Sequence, residues 1–170
     1  MAIDADPTLN PYLQGNFAPV SDELDVADLA VTGEIPAALE GLYVRNGGNP
    51  AFAPVGRYHL FDGDGMLHGV ELRNGAARYR NRWVESKGLM AERREGRALF
   101  GGLSEFTFPE QRIMDEVGLY KNTANTNIVR HGGRMLALME GAHPTEVDAE
   151  LRTIGEYDFG GDLRGAMTAH

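Results

Sequence analysis

The chain has 170 residues, 42% of them hydrophobic, with 16 Lys and Arg against 25 Asp and Glu and a formal net charge of −9. A chain this acidic is repelled by nucleic-acid phosphate unless it segregates a basic face, and Arg78-Tyr79-Arg80-Asn81-Arg82 is too short a run to form one. Without cysteine there is no disulfide framework, thiolate nucleophile, iron–sulfur cluster or thiolate-held zinc, so a metal must use His, Asp or Glu.

Seven Phe, six Tyr and one Trp suffice for a buried core, so the chain reads as globular. The N-terminus, Met1-Ala2-Ile3-Asp4-Ala5-Asp6-Pro7, lacks the basic and apolar regions of a secretory signal. The longest apolar run, Met135 to Met139, falls far short of the roughly 20 residues that span a bilayer. These features lead to the expectation of a soluble cytoplasmic protein.

In chain order, Pro36 to Leu39 predicts one short turn, with Pro at its first position and Gly41 closing it. Gly41-Leu42-Tyr43-Val44-Arg45 reads as a strand. Met66 to Arg73 and Ala76 to Val84 predict a hairpin about Asn74-Gly75, because a type I′ turn needs positive φ at both central residues. Ala91 to Phe100, rich in Glu and Arg, has helical composition that Gly96 weakens. Gly101 to Gly118 has no clean period and predicts a long connection.

Asn127 to His131 and Arg134 to Glu140 predict a second hairpin around Gly132-Gly133, and Leu151 to Phe159 reads as a further strand. The 22 glycines fall between short apolar stretches, which is the pattern of many strands joined by tight turns. Short strands at this spacing suit a sandwich, a barrel or propeller blades. No internal repeat stands out, and the chain stops at Gly165-Ala166-Met167-Thr168-Ala169-His170 without a cap or return strand, which reads as an interruption.

Phe61-Asp62-Gly63-Asp64-Gly65-Met66 resembles the opening of a calcium loop, but positions 6 and 12 counted from Asp62 hold Leu67 and Arg73 where an EF-hand needs Gly and a bidentate carboxylate. Nor is it a dinucleotide fingerprint, since a hairpin follows it. The favoured reading is a tight turn whose glycines take positive φ and whose Asp side chains bond nearby amides.

The transition-metal ligands available are His59, His68, His131, His143 and His170. His68 and Glu71 fall on opposite faces of one strand and cannot chelate together. His131 sits at a turn and His143 in a polar loop, so both read as surface residues. His170 follows small residues that let a backbone approach a crowded centre. Glu140 ends an apolar strand on the face of Leu136 and Leu138, where a carboxylate requires a partner, unless the side chain escapes to water at the Gly141 turn.

The ordered motifs Asn10-Pro11-Tyr12-Leu13-Gln14-Gly15-Asn16-Phe17-Ala18-Pro19-Val20, Val31-Thr32-Gly33-Glu34-Ile35-Pro36, Tyr43-Val44-Arg45-Asn46-Gly47-Gly48-Asn49-Pro50 and Tyr58-His59-Leu60-Phe61-Asp62-Gly63-Asp64-Gly65-Met66-Leu67-His68 are followed by four more: Tyr79-Arg80-Asn81-Arg82-Trp83-Val84, Asn122-Thr123-Ala124-Asn125-Thr126-Asn127, Leu136-Ala137-Leu138-Met139-Glu140 and Met167-Thr168-Ala169-His170. In this order they resemble the N-terminal part of the carotenoid cleavage oxygenases, non-haem iron enzymes that include stilbene-cleaving dioxygenases and a retinoid isomerase. One departure is Gly48, where the family pattern has Pro, a change expected to loosen a loop.

The resemblance implies an all-β fold, the N-terminal part of a seven-bladed β-propeller that this chain leaves incomplete. Residues 1–170 would be the N-terminal portion of a single oxygenase domain, with an extended arm over residues 1–30. It implies catalytic Fe(II), Fe(2+), held by four histidines, with His170 as the first ligand. It also implies that Glu140 is a carboxylate behind a ligand imidazole, one lying beyond residue 170, so that Glu140 need not touch His170. Three ligands are then absent, and the isolated chain is expected to be inactive.

The implied partners are dioxygen and an apolar polyene or stilbene-like substrate, cut at a conjugated C=C bond into two carbonyl products. Peripheral membrane contact by the full-length protein is compatible with this, and nucleic acid is not a partner. Two alternatives stay open: a retinoid-type isomerase of the same family, and a non-catalytic β-propeller or sandwich used as a binding module.

Overall fold

A computed structural model describes residues 10–170. Its frame is two four-stranded antiparallel sheets. Strands β1 (Asp25–Val26), β2 (Gly41–Gly48), β3 (Gly65–Arg73) and β4 (Ala76–Trp83) lie in the order β1-β4-β3-β2. Strands β5 (Asn127–His131), β6 (Arg134–Leu138), β7 (Thr145–Val147) and β8 (Thr153–Glu156) follow as a meander, with helices α1 (Lys87–Glu95) and α2 (Gln111–Val117) between the sheets in sequence.

Turn chemistry sets both hairpins. Arg73 pairs with Ala76 around Asn74 and Gly75, whose φ values of 51° and 77° give the type I′ turn that Asn-Gly favours. Gly132 and Gly133, at φ 56° and 83°, do the same between His131 and Arg134. The sheets face each other through buried Leu67, Val84, Ala124, Ala137, Val147 and Leu151, with Leu42, Val44, Ile128 and Met135 packed at the margin. Complete burial of Leu67 and Leu151 stabilises the contact by about 1.5–3 kcal/mol each.

The arginines of the short basic run are absorbed by the fold. Arg78 reaches Asp25 at 2.6 Å, and Arg80, 1% exposed, lies between Glu71 at 2.8 Å and Glu150. Residues 1–9 of the expected arm lie outside the described residues. Over residues 10–30 the chain has little regular structure and is sewn to the first sheet by two asparagines. Asn49 exchanges bonds of 2.7 and 2.9 Å with the backbone of Val20, and Asn81 accepts from Leu24 N at 2.8 Å.

Several expectations require correction. The helix expected over Ala91 to Phe100 starts earlier, at Lys87, because Ser86 caps it by accepting from Leu89 N at 3.3 Å. Gly96, at φ 69°, stands at its C-terminal cap rather than inside it. The connection expected over Gly101 to Gly118 contains α2, whose two turns are too short to display a period. Ile113 is the helix's buried anchor against Ala91 and Leu99. The strand expected over Leu151 to Phe159 is confined to β8, since Leu151 and Phe159 adopt positive φ of 62° and 58°. Pro36 to Leu39 is a turn closed by Leu39 N to Pro36 O at 2.9 Å. Gly48 does not loosen a loop, because it is the last residue of β2 and pairs with Gly65.

Candidate metal centre

Strand β6 is an inner strand, and its Leu136 and Leu138 bury Ala169 of the final segment in a small cluster with Val129 and Met167. Pairing stops at Leu138, two residues before the expected end at Glu140, so Glu140 stands in the following turn. From there its Oε1 accepts from Ala169 N at 3.0 Å and from Thr168 Oγ1 at 3.4 Å, and lies 2.7 Å from His170 Nδ1. The two residues singled out in the sequence therefore meet, whereas the resemblance implies an imidazole beyond residue 170 as the partner of Glu140. The side chains are 78% exposed for His170 and 53% for Glu140, so the carboxylate has both water and partners.

Hydrogen bonds from His170 and then from the Ala169 amide hold the Glu140 carboxyl below its ordinary range, against a smaller opposing effect of burial. An ionised carboxylate only accepts, so it selects the imidazole tautomer with the proton on Nδ1. In the neutral ring Nε2 then keeps its lone pair, the form in which imidazole ligates a metal.

The segment from Lys121 to Asn127 locks this corner to the first sheet. Asn122 Nδ2 donates to His143 O at 3.0 Å, and Asn125 Nδ2 donates to Phe61 O and Gly63 O at 2.8 and 2.6 Å. Asn46 Nδ2, from β2, reaches Ala124 O and Asn127 O at 2.7 and 2.9 Å. Asn127 Nδ2 in turn donates to Ala169 O at 2.9 Å.

The Asp-Gly loop packs against the same segment as a structural element. Asp62 accepts from His59 N at 2.7 Å and Leu103 N at 2.9 Å, and Asp64 accepts from Ala51 N at 3.1 Å, as the tight-turn reading expects of the Asp side chains. Its glycines are needed for a different reason from the one expected. Gly63 has φ −64°, and Gly65 lies in β3; a Cβ on Gly63 would sit 2.6 Å from Asn49 N, and one on Gly65 2.8 Å from Thr123 O. Close backbone approach, not positive φ, requires them.

Beneath the loop, Lys121 bridges the carboxylates of Asp64 and Glu92, and Glu92 also accepts from Leu99 N at 2.9 Å. Burial alone would lower the Lys121 pKa, but the two carboxylates outweigh it and the net direction is upward. Sequence reasoning missed this trio, whose members lie far apart along the chain and of which only Asp64 belongs to a motif. It also missed Asn127, visible only as one letter of an Asn-rich run.

The other histidines do different work. His59 caps the turn Leu60–Asp62 by accepting from Phe61 N at 3.1 Å. His68 Nδ1 meets the Tyr79 hydroxyl at 2.7 Å, and burial, followed by the nearby Arg45 charge, lowers its pKa. His131 stands edge-on to Phe159 with ring centres 5.8 Å apart. Among the described residues, no three His, Asp or Glu side chains gather closely enough to hold a metal ion, and no helix is long and apolar enough to cross a membrane.

Residues 17–170 match the family model described as retinal pigment epithelial membrane protein. A carotenoid cleavage oxygenase of Mycobacterium tuberculosis is 46% identical over 164 residues, covering 95% of this chain and 30% of that protein. A carotenoid 9,10(9′,10′)-cleavage dioxygenase 1 of Arabidopsis thaliana is 40% identical over 176 residues, covering 94% of this chain and 33% of that protein.

Among solved structures, the Pseudomonas brassicacearum lignostilbene dioxygenase superposes with a TM-score of 0.81 at 34% identity, covering 95% of this chain and 34% of that one. A variant of the Synechocystis apocarotenoid oxygenase superposes with a TM-score of 0.76 at 31% identity, covering 89% of this chain and 33% of that one. The chain thus spans about a third of the length of the relatives it matches. The fold is all-β, the N-terminal part of a β-propeller.

Proposed function

The chain belongs to the retinal pigment epithelial membrane protein family, which includes the carotenoid cleavage oxygenases, and from that premise we propose that the complete protein is an Fe(II)-dependent dioxygenase. Its substrate is a carotenoid or apocarotenoid, cut with dioxygen at a conjugated C=C bond to give two carbonyl products. Residues 1–170 form the N-terminal portion of its single oxygenase domain, with an arm whose described part is residues 10–30, and have no activity of their own.

The observation that carries this reading is the 2.7 Å contact between Glu140 Oε1 and His170 Nδ1. A neutral imidazole whose Nδ1–H donates to an ionised carboxylate suits one position of an all-histidine ferrous site. His170 would be the first of four such ligands, the other three lying outside this chain. Bound there, ferrous iron supplies the redox chemistry that lets dioxygen react with an electron-rich double bond. Glu140 holds the Nδ1 proton and the ring orientation. The small side chain of Ala169, 1% exposed, lets the backbone seat against Leu136 and Leu138.

The likeness to a lignostilbene dioxygenase supports a second reading within the same chemistry, in which the double bond belongs to a stilbene. Both are tested by supplying the complete protein with Fe(II), dioxygen and, in separate reactions, an apocarotenoid, a carotenoid and a hydroxylated stilbene. The expected result is oxygen-dependent formation of paired carbonyl products from one class. No cleavage of any of the three overturns the proposal.

A further inference from the structure

The His170 ring is largely exposed, so packing does not fix it. Besides the direct contact from Glu140 to Nδ1, the backbone of Ala169 fixes it, held at two points: its N–H donates to Glu140 Oε1 at 3.0 Å and its C=O accepts from Asn127 Nδ2 at 2.9 Å. The two grips come from one rigid element. Asn127 opens β5 opposite Leu138, the last residue of β6, and Glu140 follows two residues later.

The orientation of the Asn127 amide is also determined. Its Oδ1 accepts from Ile128 N at 2.8 Å, so the group facing the Ala169 carbonyl is the amide NH2. The backbone carbonyl of Asn127 accepts from Asn46 Nδ2 at 2.9 Å, which ties the grip to β2 of the other sheet.

We propose that Asn127 is a positioning residue for the metal centre, which, together with Glu140, clamps the Ala169 backbone and so sets the place of the His170 imidazole before any metal arrives. The clamp rests on the reading of His170 as an iron ligand. Its action is geometric: a ligand must be held to a fraction of an ångström, and here a side chain bonded to the backbone one residue before the ring completes the hold that Glu140 begins. Asn46 extends it to the first sheet.

The test uses the complete protein and the metals alone, Fe(II) for affinity by chelator competition and Co(II) for its visible absorption spectrum. Asn127→Asp keeps the acceptor for Ile128 N–H and the side-chain size, but turns a carboxylate toward the Ala169 carbonyl. Asn127→Ala removes both bonds and serves where the Asp variant does not fold. Ile128→Ala, on the opposite face of the same strand, is the control for lost stability alone.

We expect either Asn127 variant to weaken Fe(II) binding by about tenfold and to shift the Co(II) bands, and Ile128→Ala to do neither. His170→Ala should lose stoichiometric metal. If His170→Ala loses the metal while both Asn127 variants keep wild-type affinity and spectrum, the clamp is overturned and the ligand reading stands. If His170→Ala keeps the metal, the ligand reading falls and takes the clamp with it.

Discussion

Two acid–base clusters in this molecule are built from the same chemistry and sit in opposite situations. Asp64 and Glu92 are buried and Lys121 is largely covered, and the three pair with one another, since helix α1, the Asp-Gly loop and the strap before β5 each supply one member. Glu140 and His170 are exposed, and their contact leaves one imidazole nitrogen free. The difference separates two uses of charge. A trio that pairs within itself locks segments together, whereas the exposed pair leaves its second imidazole nitrogen open to solvent.

The sharpest way to break that comparison is to remove the shared cation. Lys121→Met leaves two carboxylates buried without a counter-charge and should destabilise the complete protein by about 3–5 kcal/mol, measured by denaturant unfolding. The pH dependence follows from the raised Lys121 pKa. Its contribution is fully present below the ordinary value of 10.5 and is lost as the pH rises through the higher folded value, so unfolding free energies should fall only under strongly alkaline conditions. Lys121→Met should remove that alkaline component, and an unchanged alkaline slope would refute the assignment. Glu92→Gln should cost less, about 1–3 kcal/mol, because Asp64 still pairs with Lys121 and the amide oxygen still accepts from Leu99 N.

How much of each cluster was legible in the sequence follows from how local its signals are. The Asn74-Gly75 and Gly132-Gly133 turns fix strand ends and registers within a few residues, so β3 to β6 can be read directly. Helix α2 hides because one buried residue, Ile113, carries it against α1. Glu140 and His170 stand out by motif, yet their direct contact, made across 30 residues of chain, depends on where the segment after β8 returns to β6. Lys121 gives no sign at all, since a lone lysine before an asparagine run looks solvent-exposed until Gly88 and the two carboxylates enclose it. The glycines of the Asp-Gly loop suggest a conformational freedom that they do not use. The backbone they approach comes from distant segments, so only the assembled fold reveals the need.

The substitution with the smallest effect on stability sharpens the comparison most. Glu140→Gln keeps the side chain's size and an acceptor for Ala169 N–H, and the group it alters is already in water, so the unfolding midpoint of the complete protein should stay at the wild-type value. The amide, however, carries no charge to hold the proton on His170 Nδ1. Fe(II) affinity should therefore fall by about 10–100-fold, read by chelator competition. That is the reverse of Lys121→Met, which should lower the midpoint by acting on a cluster with no ligand to offer. Metal binding unchanged by Glu140→Gln, or a stability loss comparable to that of Lys121→Met, would place both clusters in the same structural class and remove the reason for treating the exposed pair as a metal site.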